Sequence, residues 1–71
     1  MKVVVEARWD DEAKVWVASS TREIGLVTEA SSIEELQKKL SVMVPDLLGP
    51  DNPGPFEIEL VARSYQTIAA E

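Results

Sequence analysis

Apolar and polar residues alternate with a two-residue period in three segments, which is the pattern of strands with one buried face. These segments cover residues 3–9, 15–19 and 56–63. Charged, turn-forming residues at 10–13 separate the first two segments, so we expect a hairpin. A further β-branched run at 24–29 follows a polar connection, and Gly25 near its start is expected to have a positive φ angle or to mark a bulge. The pattern therefore predicts four strands.

A different period occupies residues 33–48, between the third and fourth predicted strands. Apolar residues recur there at steps of three and four, as on one face of a helix: Ile33, Leu36, Leu40, Met43, Val44 and Leu47. Ser32 can cap the amide of Glu35, and the Glu35 side chain can return to the Ser32 amide. Pro45 lacks an amide hydrogen, so we expect the helix to cover 33–44 and to end or kink near Val44, with residues 46–48 continuing as a last turn.

The order βββαβ predicts an α+β two-layer sandwich with one helix on one face of a single sheet. Helical crossovers usually join parallel neighbours, so the expected strand order is 3-2-1-4. The Pro- and Gly-rich connector at 49–55 is too short to divide two domains, and residues 1–71 are predicted to form one. The positions predicted to lie under the helix are Val3, Val5, Ala7, Val15, Val17, Phe56, Ile58 and Leu60.

Nothing in the predicted fold covers the opposite face of the sheet, which combines large apolar groups with charges of both signs. We expect this face to be an interface, since aromatic and Arg side chains are enriched where proteins bind. The candidate residues are Val4, Arg8, Trp16, Glu57, Glu59, Val61, Arg63 and Tyr65. The alternative is that Trp16 is a lone exposed aromatic residue, which needs no explanation.

A chain of 71 residues can build only a small core, near the lower limit for independent stability, so a homo-oligomer is expected. The simplest form is a symmetric dimer anchored by Trp16, in which Arg8 or Arg63 pairs with Glu57 or Glu59. The edge of the third or fourth strand is the alternative interface.

The composition of the chain excludes several kinds of catalytic and metal site. The chain has 13 acidic and 7 basic residues, a net charge of −6, and neither His nor Cys. It therefore lacks a thiol nucleophile, a Ser-His-Asp triad and a thiolate or imidazole metal site, and we expect no catalytic residues and no cofactor.

The acidity disfavours nucleic acid and anionic membranes as partners. The run Asp10–Glu12 lacks the ligand spacing of a calcium loop, so no metal site is predicted. No segment is apolar enough for a membrane span or a signal peptide, and we expect a cytoplasmic protein.

Three motifs of the chain resemble a known family. They are Trp9-Asp10-x-Glu12-x-x-Val15-Trp16-Val17-Ala18-x-Ser20, then Gly25-Leu26-x-Thr28-Glu29-Ala30, then Ile33-Glu34-Glu35-Leu36, and the segment 42–48 is similar to the end of the family's helix. The resemblance is to DUF1902 proteins of the HicB-like antitoxin superfamily. It implies a partial ribonuclease-H-like βββαβ fold and a partner that is a small, basic, RNA-cleaving toxin. HicB antitoxins also carry a DNA-binding segment, which these 71 residues do not show, so operator binding is not expected.

The leading functional hypothesis is a non-catalytic protein-binding module, similar to a HicB antitoxin without its DNA-binding segment. One alternative is a purely structural homo-oligomer. The other is a carboxylate- and metal-dependent nuclease, which would need acids from several elements to converge on one ion. The available acids are Glu6, Glu34 or Glu35, and Glu57 or Glu59. Their periodicity places the strand acids on the sheet face away from the helix and the helix acids on its outer side, which disfavours a nuclease.

Overall fold

The computed structural model describes residues 2–20, 24–52 and 54–70, which form four strands and one helix. The elements are β1 (Lys2–Asp10), β2 (Val15–Ser20), β3 (Val27–Ala30), α1 (Ile33–Leu48) and β4 (Glu57–Arg63). The sheet order is β3-β2-β1-β4, with β4 parallel to β1 and the other neighbours antiparallel. The predicted α+β fold, its element order and its strand order are confirmed.

The turn between β1 and β2 determines which side chains of β2 face the helix. Asp10 closes it: its carbonyl accepts from the Lys14 amide at 2.7 Å, and its Oδ1 accepts from the amides of Glu12 and Ala13 at 3.0 and 3.1 Å. Four residues separate the strands, so odd positions of β1 lie opposite even positions of β2. Trp9 is opposite Trp16 for this reason.

This register corrects the predicted orientation of β2. Residues opposite one another in antiparallel strands share a face of the sheet. Ala18 is opposite the buried Ala7 and is itself fully buried, whereas Val17 is opposite the exposed Arg8. Val15 and Val17 therefore lie on the face away from the helix, and Trp16 and Ala18 lie beneath the helix. The prediction had these two pairs exchanged.

The core lies between α1 and the helix side of the sheet. Its buried residues are Val3, Val5, Ala7, Ala18, Leu26, Ala30, Leu36, Leu40 and Val44. Ile58 and Leu60 of β4 pack against this core but remain partly exposed, and Phe56 is half-buried just before β4 begins. The helix contacts β2 and β3, so its cover is displaced toward the β3 side of the sheet.

The helix starts as predicted, and the last turn expected at 46–48 continues it without a break at Val44. Ser32 Oγ accepts from the Glu35 amide at 3.1 Å, while the Glu35 carboxylate accepts from Ser31 Oγ at 2.9 Å instead of from the Ser32 amide. The helix continues through Pro45 to Leu48, and Gly49 caps it by donating to the Pro45 carbonyl. Pro45 is exposed, so the helical hydrogen bond that its ring removes lies on the solvent side, where water can replace it.

The segment before β3 differs from the predicted strand at 24–29. Gly25 has the expected positive φ, +68°, and lies outside β3, which begins at Val27. Leu26 turns into the core and is 1% exposed; its amide donates to Ser20 Oγ and its carbonyl accepts from the Ser20 amide. Most of the predicted connection at 20–23 lies outside the described residues.

Candidate protein-binding site

The face of the sheet opposite the helix, termed the open face, carries alternate residues of all four strands. Strand register and the alternation of burial assign its members. They are Lys2, Val4, Glu6, Arg8, Asp10, Val15, Val17, Ser19, Val27, Glu29, Glu57, Glu59, Val61 and Arg63. Five valines thus lie among charged side chains. No element among the described residues packs over them.

A shallow groove of about 520 Å³ crosses the open face. Val17 and Val27 supply its apolar lining, and Val27 is 70% exposed. Arg8, Arg63 and Tyr65 line it on the β1–β4 side. Because β1 and β4 are parallel, Arg8 and Arg63 are directly opposite in register, and their guanidinium groups project from neighbouring strands. Ala7, Ser19 and the acidic Glu6 complete the lining, so the groove combines apolar surface with two cations and one carboxylate.

Charges on the open face are separated along β1 and β4. Arg8 and Arg63 lie where these strands end, and Glu57 and Glu59 lie where β4 begins. Lys2 Nζ contacts the Glu59 carboxylate at 2.7 Å, and this hydrogen bond, with the charge of Glu59, raises the pKa of Lys2 above its ordinary value. The β1–β4 half of the face therefore has a cationic end, marked by Arg8 and Arg63, and a mainly acidic end, while Glu29 of β3 lies in the same row as the arginines.

A second ion pair lies nearer the cationic end. Arg63 Nη1 is 3.6 Å from the Glu6 carboxylate, whereas Arg8 has no ion pair within the described part of the chain. Both partners of each ion pair on this face are more than 40% exposed, so each contributes little to stability. Arg8 is the cation most available to a partner.

Six of the eight predicted interface residues share the open face: Val4, Arg8, Glu57, Glu59, Val61 and Arg63. Tyr65 follows β4, lines the groove and is 89% exposed. Trp16 was assigned to the wrong face: it is half-buried on the helix side and packs edge-to-face on Trp9, with ring centroids 5.5 Å apart. Trp16 therefore cannot anchor a partner on the open face.

The predicted interface lacked five residues that line the groove, namely Glu6, Ala7, Val17, Ser19 and Val27. Val17 and Ser19 belong to the strand whose orientation was exchanged, and Val27 lies opposite Ser19 in β3. The available signal was the four-residue loop between β1 and β2. A loop with an even number of residues places odd-numbered positions of one strand opposite even-numbered positions of the next.

The acidic residues that the structure describes form no metal-binding cluster. Within 2–20, 24–52 and 54–70 there is no group of three or more acids positioned to hold an ion. In the hairpin turn, Asp11 Oδ1 accepts from Lys14 Nζ at 2.8 Å and from Trp9 Nε1 at 3.3 Å. These hydrogen bonds lower the pKa of Asp11 below its ordinary value, and the one from Lys14 has the larger effect. The carboxylates of the turn therefore stabilise the hairpin.

A helix must be both long and apolar to cross a lipid bilayer. In the part of the chain that the structure describes, no helix is both long and apolar enough to do so.

Comparison with known proteins places the chain in a family. No curated protein matches it. Among solved structures it is similar to the crystal structure of a hypothetical protein from the extremely thermophilic bacterium Thermus thermophilus, with 42% sequence identity and a TM-score of 0.67. That match covers 99% of this chain and 100% of the other. The model of DUF1902, a domain of unknown function, matches residues 2–68, and the chain belongs to this family.

Proposed function

We propose that this chain is a non-catalytic protein-binding module that receives its partner on the open face. The observation that carries the proposal is the groove lined by Val17, Val27, Arg8, Arg63 and Tyr65. Apolar surface beside Arg and Tyr is the composition of protein interfaces, whereas small-molecule sites are concave and mostly apolar.

The partner is proposed to be a small basic protein. The chain carries a net charge of −6, which attracts a cationic protein over long range and accelerates its docking. The resemblance to HicB antitoxins indicates the kind of basic protein that we propose as the partner. It is an RNA-cleaving toxin whose activity is blocked while it is bound. We propose that the module acts in the cytoplasm, where the RNA cleaved by the toxin would be.

The position of the acidic residues supports a binding role over a nuclease. Glu6, Glu57 and Glu59 lie on the open face, whereas Glu34 and Glu35 are on the exposed side of a helix that packs on the other face. The thickness of the sheet separates the two sets. Two-metal phosphoryl transfer needs carboxylates around ions only about 3.5–4 Å apart.

Affinity capture with two matched variants tests the binding role. Val27 in the groove and Val42 on the helix are each 70% exposed, so mutation of either to Asp adds one charge at equal solvent exposure. A basic protein should copurify with the wild type and with Val42→Asp, and Val27→Asp should reduce its recovery at least tenfold. Recovery of the wild-type chain alone at low and moderate salt would contradict the proposal.

A cleavage assay separates the proposed role from the nuclease alternative. The purified chain is incubated with labelled RNA and Mg²⁺ or Mn²⁺, alone and with the captured partner. We expect no cleavage by the chain alone and suppression of any cleavage by the partner. Cleavage by the chain that disappears in Glu6→Gln would support the nuclease instead.

A further inference from the structure

An open cleft lies on the helix side of the sheet, between the start of α1 and the ends of β1 and β4. Its volume is about 520 Å³. The two tryptophans of the chain, Trp9 and Trp16, line it together with residues 31–34 and Ser64. The cleft and the open-face groove are separate sites, because Trp9 and Trp16 lie on the face of the sheet that carries the helix.

The two indole rings form adjoining walls of this cleft. Their planes are inclined at 63° and their centroids are 5.5 Å apart, so the rings meet at a corner instead of stacking flat. The face of an aromatic ring is electron-rich and attracts cations, and the indole of Trp does so best. Two indoles set at an angle can contact one cation together, as in the aromatic cages that bind ammonium groups.

Negative charge surrounds the same corner. Glu34 lines the cleft, is exposed, and makes no hydrogen bond or ion pair with the described part of the chain. Asp11 Oδ1 accepts from Trp9 Nε1 at 3.3 Å, and a carboxylate at the indole N–H makes the ring more attractive to a cation. No Lys or Arg lines the cleft within residues 2–20, 24–52 and 54–70. The cleft is therefore suited to a cation that this chain does not itself supply.

The serines at the start of α1 do not make the cleft an anion site. Ser32 Oγ already accepts from the Glu35 amide at 3.1 Å, and Ser31 Oγ donates to the Glu35 carboxylate at 2.9 Å. Glu34 places a negative charge at the helix start, where an anion would otherwise be favoured. The charge of the cleft thus favours a cation over a phosphate or a carboxylate.

We propose that this cleft binds an arginine side chain of the basic protein partner. The guanidinium group is planar and weakly hydrated, stacks on aromatic rings and donates two parallel hydrogen bonds to a carboxylate. One arginine can therefore contact the indole corner and the Glu34 carboxylate at the same time. This inference rests on the proposed function, because the basic partner supplies the arginine.

The cleft and the open-face groove lie back to back at one end of the sheet. Consecutive residues belong to one site each: Arg8 lines the groove and Trp9 the cleft, and Tyr65 lines the groove and Ser64 the cleft. The register of β1 with β4 places these two pairs of residues beside each other. A partner seated on the groove can reach around this end of the sheet with a side chain as long as that of arginine.

NMR titration of the full chain tests the cleft without the partner. Each tryptophan gives one indole N–H signal in a ¹⁵N correlation spectrum, and the chain has two. The probe N-acetylarginine amide should shift both signals saturably. N-acetylcitrulline amide has nearly the same shape without the charge, and its shifts should be about fivefold smaller at the same concentration. Equal shifts by the two probes, or larger shifts with sodium sulfate at equal ionic strength, would overturn the proposal.

Glu34→Gln and Glu35→Gln form a matched pair for this titration. Each removes one exposed carboxylate from the first turn of α1, so the effect on the helix dipole is the same, but only Glu34 lines the cleft. Glu34→Gln should raise the dissociation constant of the arginine probe about threefold to fivefold, and Glu35→Gln should leave it within about 1.5-fold of the wild type. Equal effects of the two variants would refute the contact with Glu34.

Trp9→Leu tests the aromatic wall while keeping an apolar side chain at that position. It should weaken binding of the arginine probe about tenfold, read from the remaining Trp16 signal. The dispersion of the backbone signals checks that the variant is folded. An unchanged dissociation constant in folded Trp9→Leu would refute the indole corner as the cation site.

Binding of the captured partner separates this inference from the proposed function. Glu34→Gln should raise the dissociation constant of the partner about threefold to tenfold, and Glu35→Gln should not. Loss of binding in Val27→Asp but not in Glu34→Gln would refute the arginine contact and leave the groove as the partner site. If no partner binds, the proposed function fails and the partner's arginine with it, whatever the probe does. A change in the mass of the chain alone in Glu34→Gln, measured by sedimentation equilibrium, would assign the cleft to a second copy and overturn the proposal.

Discussion

Truncation of Leu40 tests how the core is closed on the β4 side. Leu40 is 1% exposed and belongs to the core, so Leu40→Ala loses buried contacts and opens a cavity. Buried leucine truncations cost about 2–5 kcal/mol, depending on how far the site relaxes. Leu40 also lines a shallow groove shared with Ile58 and Leu60, where neighbours can move into the space. We therefore expect about 2–3 kcal/mol.

Leu36→Ala provides the comparison within the same helix. Leu36 is fully buried, one turn earlier, and lines none of the grooves described above. Its cavity should relax less, so we expect about 3–5 kcal/mol. A chain of 71 residues has a total stability of about 4–11 kcal/mol, so Leu36→Ala removes a large part of it.

Urea denaturation followed by circular dichroism measures both losses. With a slope near 1 kcal/mol/M for so small a chain, Leu40→Ala should lower the midpoint by about 2–3 M. All variants are compared at one protein concentration, because association would make the midpoint depend on it.

Lysine variants serve as controls. Lys38→Ala, on the exposed face, should change stability by no more than about 0.5 kcal/mol. Lys39→Ala should cost slightly more, since Lys39 Nζ donates to the Glu29 carbonyl. A Leu40→Ala loss equal to that of Lys38→Ala would show that the buried face of α1 is misassigned. A loss equal to that of Leu36→Ala would refute the relaxation at the β4 side.

Three further outcomes follow from the turns and the helix cap. Ser32→Ala should destabilise the protein by about 1 kcal/mol in urea denaturation, and Ser31→Ala by less, because only Ser32 caps a backbone amide. Gly25→Ala should cost about 1–2 kcal/mol in the same assay through its φ of +68° alone, since no atom lies within 4 Å of the added methyl. NMR titration should place the pKa of Asp11 below its ordinary 3.8 and return it toward that value in Lys14→Ala. Because the folded pKa is the lower one, Asp11 contributes stability above pH 3.8 that is lost as the pH falls below it.

The strand order was predictable because local signals agreed with the tertiary contacts. The alternating runs of β1 and β4 have one clearly apolar side each, so their faces could be assigned from sequence. In β2 both alternate sets are apolar, Val15 with Val17 and Trp16 with Ala18, and the pattern does not choose between them. The hairpin register determines which set faces the helix. It therefore also determines which residues of β2 line the groove on the open face.

Two further differences have local physical causes. Pro45 predicted an end or a kink of α1 near Val44, but the ring is on the exposed side and Leu48 packs against the core, so the helix runs on into its last turn. Leu26 is buried outside any strand, and no periodicity marks it. Ser20 bonds to both backbone groups of Leu26 across the bend at Gly25, a tertiary contact that sequence spacing does not reveal.

The contact between Trp9 and Trp16 has a consequence for spectroscopy. These are the two tryptophans of the chain, and their rings lie 5.5 Å apart at 63°. Indole transitions at such a separation and angle couple and add an exciton couplet to the far-ultraviolet spectrum, beside the backbone bands. Trp16→Phe would remove the couplet while keeping an aromatic ring beneath the helix. Comparison of the two spectra would then isolate an optical signal from the β1–β2 hairpin.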